Sequence, residues 1–228
     1  MFILRRLDSV PPESFQNQIR QLVIDHVGQL SSVAITPDNP LYPLYQYGVG
    51  MEVHRYLQAL EGKQGLAVEL LLALDADAPD HLLGFAIALP AEDDPQVCAL
   101  AYLAVLASHR RQGIARGVLN DLRSRYACVE LNAFASTVPW FEAMGMQVVA
   151  ASGPQVVMSS TGQPSGALIG RLDIAPIYQT LEVGQIHAYL LNQHGEDAMI
   201  EAEQQRDERL DELELQAQAC VRQRRVVH

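Results

Sequence analysis

The chain has almost no lysine. Lys63 is the only one among 16 basic residues, set against 27 acidic ones, for a formal net charge of −11 over 228 residues. No broad basic surface is available to grip a polyanion, which excludes nucleic acid and anionic lipid as partners held by global charge. Cysteine is scarce too. Cys98, Cys128 and Cys220 stand far apart, no CxxC occurs, and an odd count argues against a disulfide framework. Buried, inert thiols in a reducing compartment are expected. No apolar run approaches the roughly 18 residues of a membrane span. The amino terminus runs apolar first and then to Arg5 and Arg6, the reverse of a secretory signal. His187 and His194 have no third ligand in their pattern, so no metal site is expected. A soluble, cytoplasmic protein without a membrane or nucleic-acid partner fits these absences.

What is present is an ordinary globular composition, 49% hydrophobic and 19% charged. The length falls between one large domain and two small ones at roughly 150 residues each. Phe2 to Leu7 reads as a strand. Ser14 to Val27 and Tyr42 to Leu60 carry apolar residues at helical spacing, separated by Pro37, Pro40 and Pro43. Strands are expected at Gly65 to Leu74, Leu82 to Leu89 and Val97 to Leu106. The last is apolar almost without a break, as in a central strand covered on both faces. A helix from Gly113 to Tyr126, a strand from Cys128 to Phe134 and a short helix from Val138 to Met144 follow. Met146 to Met158 reads as one strand and Ala167 to Asp173 as a return strand. The order predicts a mixed α/β sheet.

Beyond Pro176 the chain turns polar and helical. Glu196 to Glu214 holds nine acidic residues, and Arg222, Arg224 and Arg225 close the segment, a polarity that follows the helix dipole. Met199, Ala202, Leu210, Leu213, Ala217 and Cys220 form a weak apolar stripe. Two readings stand: a solvated helix packed on its own chain, or an arm that docks on a second subunit to make a homodimer.

One stretch reverses the charge. Residues 95–120 contain no Asp or Glu but carry Arg110, Arg111 and Arg116, a formal +3 within a chain of −11. This stretch also joins the apolar strand to a helix through Ser108-His109-Arg110-Arg111-Gln112-Gly113-Ile114-Ala115. Gly113 lets backbone approach a ligand, and the first amides of a helix have no internal partner. Together with the positive helix end they form an anion cradle, for which phosphate is the usual guest. Gly48-x-Gly50 lacks a third glycine and follows no strand, so it is not a nucleotide motif.

The string Arg110-Arg111-Gln112-Gly113-Ile114-Ala115, placed after Leu103-Ala104-Val105, resembles the acetyl-CoA-binding signature [RQ]xxGx[GA] of the Gcn5-related N-acetyltransferase (GNAT) superfamily. Trp140-Phe141-Glu142-Ala143-Met144-Gly145-Met146 is similar to the later LYEKLGF stretch of that family. The resemblance implies an α/β fold with a mixed, mostly antiparallel central sheet flanked by helices. It covers residues 1–174 as an acyltransferase domain and leaves 175–228 as a helical extension. It implies transfer of acetyl from acetyl-CoA, as co-substrate, to a small-molecule or peptide amine, directly and without an acyl-enzyme.

Residue by residue, the resemblance places the pyrophosphate on Arg110, Arg111, Gln112, Gly113, Ile114 and Ala115. It places the pantetheine along the backbone of Leu103 and Val105, with Asn132, Ser136 and Phe141 beside it. A backbone amide at Val105 would stabilise the oxyanion. Glu52 and His54, polar on an apolar helix, and Trp140 are the acceptor-site candidates. The departures are specific. Phe141 stands where the family often has a proton-donating Tyr. The strand before Leu103 offers no carboxylate, only Tyr102 and Cys98 as ionisable groups, so Tyr102 is the side-chain candidate for catalysis. These losses also admit a degenerate domain that binds acyl-CoA without turnover.

Overall fold

The computed structural model describes residues 1–62 and 65–225. Seven strands build one sheet: β1 (Phe2–Leu7), β2 (Glu69–Asp75), β3 (Leu82–Pro90), β4 (Val97–Val105), β5 (Cys128–Ala133), β6 (Gln147–Ser152) and β7 (Gln155–Ser159). Their order is β1-β2-β3-β4-β5-β7-β6. Every neighbouring pair is antiparallel except β4 and β5, which run parallel. The mixed, mostly antiparallel sheet expected from the sequence is therefore present.

Helices cover both faces. α1 (Glu13–Asp25), the single turn α2 (Val27–Leu30) and α3 (Tyr42–Ala59) lie on one face; α4 (Ile114–Arg125) lies on the other, and α5 (Val138–Glu142) follows β5. The two-residue alternation of a strand feeds both cores. Leu70, Leu72, Phe85 and Ile87 pack with Ile19, Val23, Val53 and Leu57 of α1 and α3. Leu71, Ala86 and Ala88 pack with Val118, Leu119 and Leu122 of α4.

The alternation breaks once in β4. Ile87 pairs with Tyr102 and Ala88 with Leu100, so Ala101 has no partner on β3. Such a bulge inserts one residue and reverses which face later side chains occupy. Cys98 and Leu100 accordingly join the α4 core, whereas Tyr102 and Ala104 join the α1–α3 core. Beside the bulge the sheet opens. β4 and β5 pair only from Val97–Cys128 to Leu100–Leu131 and then part.

Two expected strands are corrected. Met146 to Met158 is not one strand but the hairpin β6–β7, because Gly153 (φ 52°) turns the chain with left-handed backbone. Ala167 to Asp173 is irregular. Its backbone bonds go to single partners rather than a ladder: Leu168 O accepts from Glu92 N (2.9 Å), Leu168 N donates to Asp93 Oδ1 (2.8 Å), and Leu172 N donates to the Tyr56 hydroxyl (3.4 Å).

The chain ends in α6 (Leu181–His194) and α7 (Glu196–Arg225). Thr180 caps α6 by accepting from Val183 N, and Gly195 (φ 84°) makes the turn between the helices. At 30 residues α7 is about 45 Å long. Its first turns bury Met199 and Ala202 in the α1–α3 core; its last turns bury Ala217, Cys220 and Val221 in the α4 core. The apolar stripe is thus covered by the chain's own domain, with Leu210 only half-buried. Asn39 Nδ2 donates to Ala202 O (3.1 Å) and Arg224 pairs with Glu142 (2.9 Å), tying both ends down.

Burying Met199, Leu213 and Val221 contributes about 5 kcal/mol of transfer free energy. Removing residues 196–228 is therefore expected to lower the thermal midpoint by about 10 °C or more. Differential scanning calorimetry of the shortened chain checks this, and an unchanged midpoint would refute a structural role for α7.

Candidate active site

The turn after β4 is a string of free amides. A 3-10 turn (Ala107–His109) leads to Arg110, and α4 begins at Ile114. Arg111 (φ 62°) and Gly113 (φ 85°) both hold left-handed backbone, with Gln112 between them. Alternation of this kind turns successive N–H groups toward one concave side, a nest for anions. The amides of Arg111, Gln112, Gly113, Ile114 and Ala115 have no acceptor among the described residues, whereas Gly117 N already donates to Gly113 O (2.8 Å). Gly113 is required here for its backbone, since a left-handed φ costs an L-residue about 1–2 kcal/mol. A Cβ at this position would meet no other atom within 4 Å, so the space in front of the turn is open.

The arginines divide their work. Arg110 bends back under the turn: its Nε donates to Val105 O (3.3 Å) and its Nη2 to Gln29 Oε1 (3.0 Å) and His26 Nδ1 (3.2 Å). Burial, and then the Arg110 charge, hold His26 below its ordinary value, which suits a neutral acceptor. Arg110 therefore clamps β4 to the α1–α2 corner. Arg116 reaches Ala143 O (3.5 Å), and Arg111 is exposed with no partner among the described residues.

The opened edge of β4 leads away from this turn. Leu106 N donates toward β3, to Leu83 O (2.8 Å). By strand alternation the amides of Leu103 and Val105 point the other way, into the gap vacated by β5. The gap continues into a cleft of about 600 Å³ on the α3 side of the sheet. Ala101, Tyr102, Glu130 and Asn132 form its floor, with Tyr45, Glu52 and Tyr56 lining it from α3 and Arg171, Leu172 and Tyr178 from the chain beyond β7.

One carboxylate stands out in that cleft. The Tyr102 hydroxyl lies beside Glu52, close enough to stabilise the carboxylate, and this pairing depends on the bulge that turns Tyr102 toward α3. Burial raises the Glu52 pKa above its ordinary value; the Tyr102 hydroxyl and the Arg171 charge counter it in part. Tyr102 is pushed far up by burial and then by the Glu52 charge, so its hydroxyl stays a donor. The Tyr102 ring meets Tyr56 edge-on, with centroids 6.1 Å apart. Glu130 Oε1 accepts from Ser165 N (2.6 Å), which fixes it against the segment above.

The sequence candidates separate into groups. Leu103, Val105 and residues 110–115 lie together along the open edge and its turn. Glu52, Tyr102 and Asn132 share the cleft. His54 does not join Glu52: two residues on, it is about 200° round the helix. It faces a separate groove of about 520 Å³ between α1 and α3. Trp140 is 49% exposed and lies edge-on to Phe141 (4.7 Å), outside the cleft lining. Ser136 is exposed, and Phe141 packs on the α4 core. Arg171, Tyr178 and Glu130 are cleft residues that sequence reasoning missed. Arg171 reaches it through an irregular segment that no periodicity marks, and Tyr178 through the short 3-10 turn (Ala175–Gln179) that follows.

Residues 40–146 match the model of the acetyltransferase (GNAT) family. No curated protein matches the chain in sequence. Among solved structures it is similar to a GNAT-family protein from Desulfovibrio desulfuricans, at 16% identity and a TM-score of 0.47 over 70% of this chain and 98% of that one. It is similar to the PaiA N-acetyltransferase of Thermoplasma acidophilum in complex with coenzyme A, at 12% identity and 0.49 over 70% and 98%. An acetyltransferase from Thermus thermophilus matches at 15% and 0.49 over 68% and 94%.

Cys98 and Cys128 lie on the two floor strands, β4 and β5. Burial first, and then the Glu69 charge, push Cys98 up to about 12, so at neutral pH it carries no nucleophilic thiolate. All three cysteines are free and buried. Iodoacetamide at pH 8 is expected to leave Cys98 unlabelled in the native protein and to label it fully in guanidinium, read by peptide mass spectrometry. Rapid native labelling would contradict this placement.

Proposed function

Because residues 40–146 match the model of the acetyltransferase (GNAT) family, we propose that the protein transfers an acetyl group from acetyl-CoA to an amine, directly and within a ternary complex. One observation carries the reading: an open strand edge runs without interruption from a nest of free amides into a cleft that holds a carboxylate of raised pKa. The transferase domain spans residues 1–174 in this reading, with 175–228 as its helical extension.

Acetyl-CoA, when bound, supplies the acetyl group as an activated thioester. The amides of Arg111 to Ala115 hold the pyrophosphate oxygens, helped by the exposed Arg111 side chain, and Arg110 keeps the turn in place rather than reaching outward. The backbone of Leu103 and Val105 pairs with the pantetheine as an added strand would, and Asn132 faces the same gap. The Val105 amide donates to the carbonyl oxygen as charge grows there, a contact that strengthens toward the transition state. Glu52 takes the proton that a bound ammonium must lose before its nitrogen attacks, and Tyr102 holds the carboxylate in position. The C–N bond then forms as the C–S bond breaks, and the nitrogen's second proton passes through water to the leaving CoA thiolate. Alignment of donor and acceptor in the cleft supplies much of the remaining acceleration.

A second reading has one observation in its favour. Phe141 cannot return a proton to the leaving thiolate, and a domain that binds acyl-CoA without turnover would need no such group. Time-dependent release of CoA thiol over a panel of primary amines separates the two. Tight acetyl-CoA binding with no release for any amine would leave only the binding module.

Gly113→Glu puts a carboxylate and a strained backbone into the nest. It is expected to weaken acetyl-CoA binding by about 100-fold or more while the far-UV circular dichroism stays unchanged, measured by calorimetric titration. Unchanged affinity would remove the pyrophosphate from this turn. Glu52→Gln is expected to lower kcat by about 10²-fold or more. The sign of the pH effect follows from the raised pKa. Glu52 accepts a proton only when ionised, so the rising limb of kcat/KM lies above the ordinary Glu value of about 4.3, and Glu52→Gln abolishes that limb. A rising limb that survives the substitution would assign the base elsewhere.

A further inference from the structure

Tyr178 lies outside the stretch that matches the family, yet its side chain, 36% exposed, lines the cleft. It sits on a 3-10 turn (Ala175–Gln179) between the irregular segment and α6. That turn is anchored at both sides: Ile177 is buried at 1% exposure, and Thr180 caps α6. The Tyr178 ring lies directly against the backbone of α3 at Gly48. A Cβ on Gly48 would sit 2.8 Å from the ring Cζ and 3.0 Å from Cε1, and closer still to the hydroxyl. No residue with a side chain leaves that space. The first glycine of Gly48-x-Gly50 is therefore the seat of an aromatic ring.

From this seat the Tyr178 hydroxyl faces Tyr45 and Glu52, and it lies close enough to Tyr102 for their charges to interact. Burial pushes Tyr178 up to about 12, so it stays a neutral phenol. Four tyrosines, Tyr45, Tyr56, Tyr102 and Tyr178, thus line the cleft together with two carboxylates, Glu52 and Glu130. Aromatic faces around a carboxylate favour an ammonium over a neutral or anionic guest. The one guanidinium of the lining, Arg171, is exposed at the outer wall. A ring pressed on Gly48 cannot retreat toward α3, so it limits the width of whatever enters.

We propose that Tyr178 determines which acceptor enters the cleft, and that this acceptor is a slender primary alkylamine bound as its cation. The inference rests on the transferase reading above. The test compares wild type, Tyr178→Ala and Tyr178→Phe on n-propylamine, benzylamine and aniline, the last being uncharged at neutral pH. Tyr178→Ala is expected to raise the benzylamine-to-propylamine ratio of kcat/KM by about tenfold or more, with the acetyl-CoA Kd unchanged. Tyr178→Phe, which keeps the ring, is expected to keep the wild-type order, and wild type is expected to prefer propylamine to aniline. Gly48→Ala, which displaces the ring without removing it, should shift the ratio in the same direction as Tyr178→Ala and covers the case in which that variant does not fold. An unchanged ratio in the ring-removing and ring-displacing variants overturns the specificity role, and equal use of aniline overturns the cationic acceptor. Absence of CoA release by wild type with every amine overturns the transferase reading itself, an outcome distinct from the other two.

Discussion

Four residue pairs hold β4 to β5, and where that pairing stops the backbone of β4 is left with donors and acceptors and no neighbour. A buried sheet edge in the middle of a protein is costly unless something satisfies it. Here it faces a cleft, and both its ends are specialised. Outward it runs into the amide nest of the turn before α4; inward it reaches the bulge at Ala101 and the Tyr102–Glu52 pair. Close the gap, and the nest, the strand edge and the carboxylate become three unrelated details. The bulge has a second consequence: by reversing side-chain parity it carries Tyr102 to the face where α3 can meet it.

The charge distribution fits this arrangement. In the proposed reading, a chain with one lysine and a net charge of −11 would bind its anion through backbone, where the dipoles are fixed and need no side-chain ordering. Arg110 is used as a clamp between β4 and the α1–α2 corner rather than as a ligand arm. The acidic surplus of the chain meanwhile places Glu52 and Glu130 in the cleft, where a cationic guest would be welcome.

Much of this was legible in the sequence because it is local. The turn motif, its glycine and the absence of nearby acid all sit within a few residues, and the helical spacing of α1, α3, α4 and α7 sits close to the observed helices. What was not legible depends on pairs far apart in the chain. The carboxylate beside Tyr102 comes from α3, fifty residues earlier, so inspecting the strand before Leu103 could not find it. Glu52 and His54 are equal candidates in a list of polar residues, and only the helix geometry sends them to different surfaces. The β6–β7 hairpin hides in an apolar run whose one glycine makes the turn. Tyr178 leaves a single trace, a glycine in the middle of a helix.

In the proposed transferase, donor and acceptor sides of the cleft also differ in how they are encoded. The donor side is one contiguous stretch, from β4 through the first turn of α4. The acceptor side is assembled from α3, the floor strands and a segment beyond β7 that is irregular up to the 3-10 turn carrying Tyr178. Changes in that segment need not disturb a ladder or a helix, so this part of the cleft can be rebuilt by substitution, insertion or exchange while the turn before α4 stays intact. The irregular backbone between Ser165 and Ile174 is then, in that reading, the natural place to graft a new acceptor preference onto an unchanged donor half.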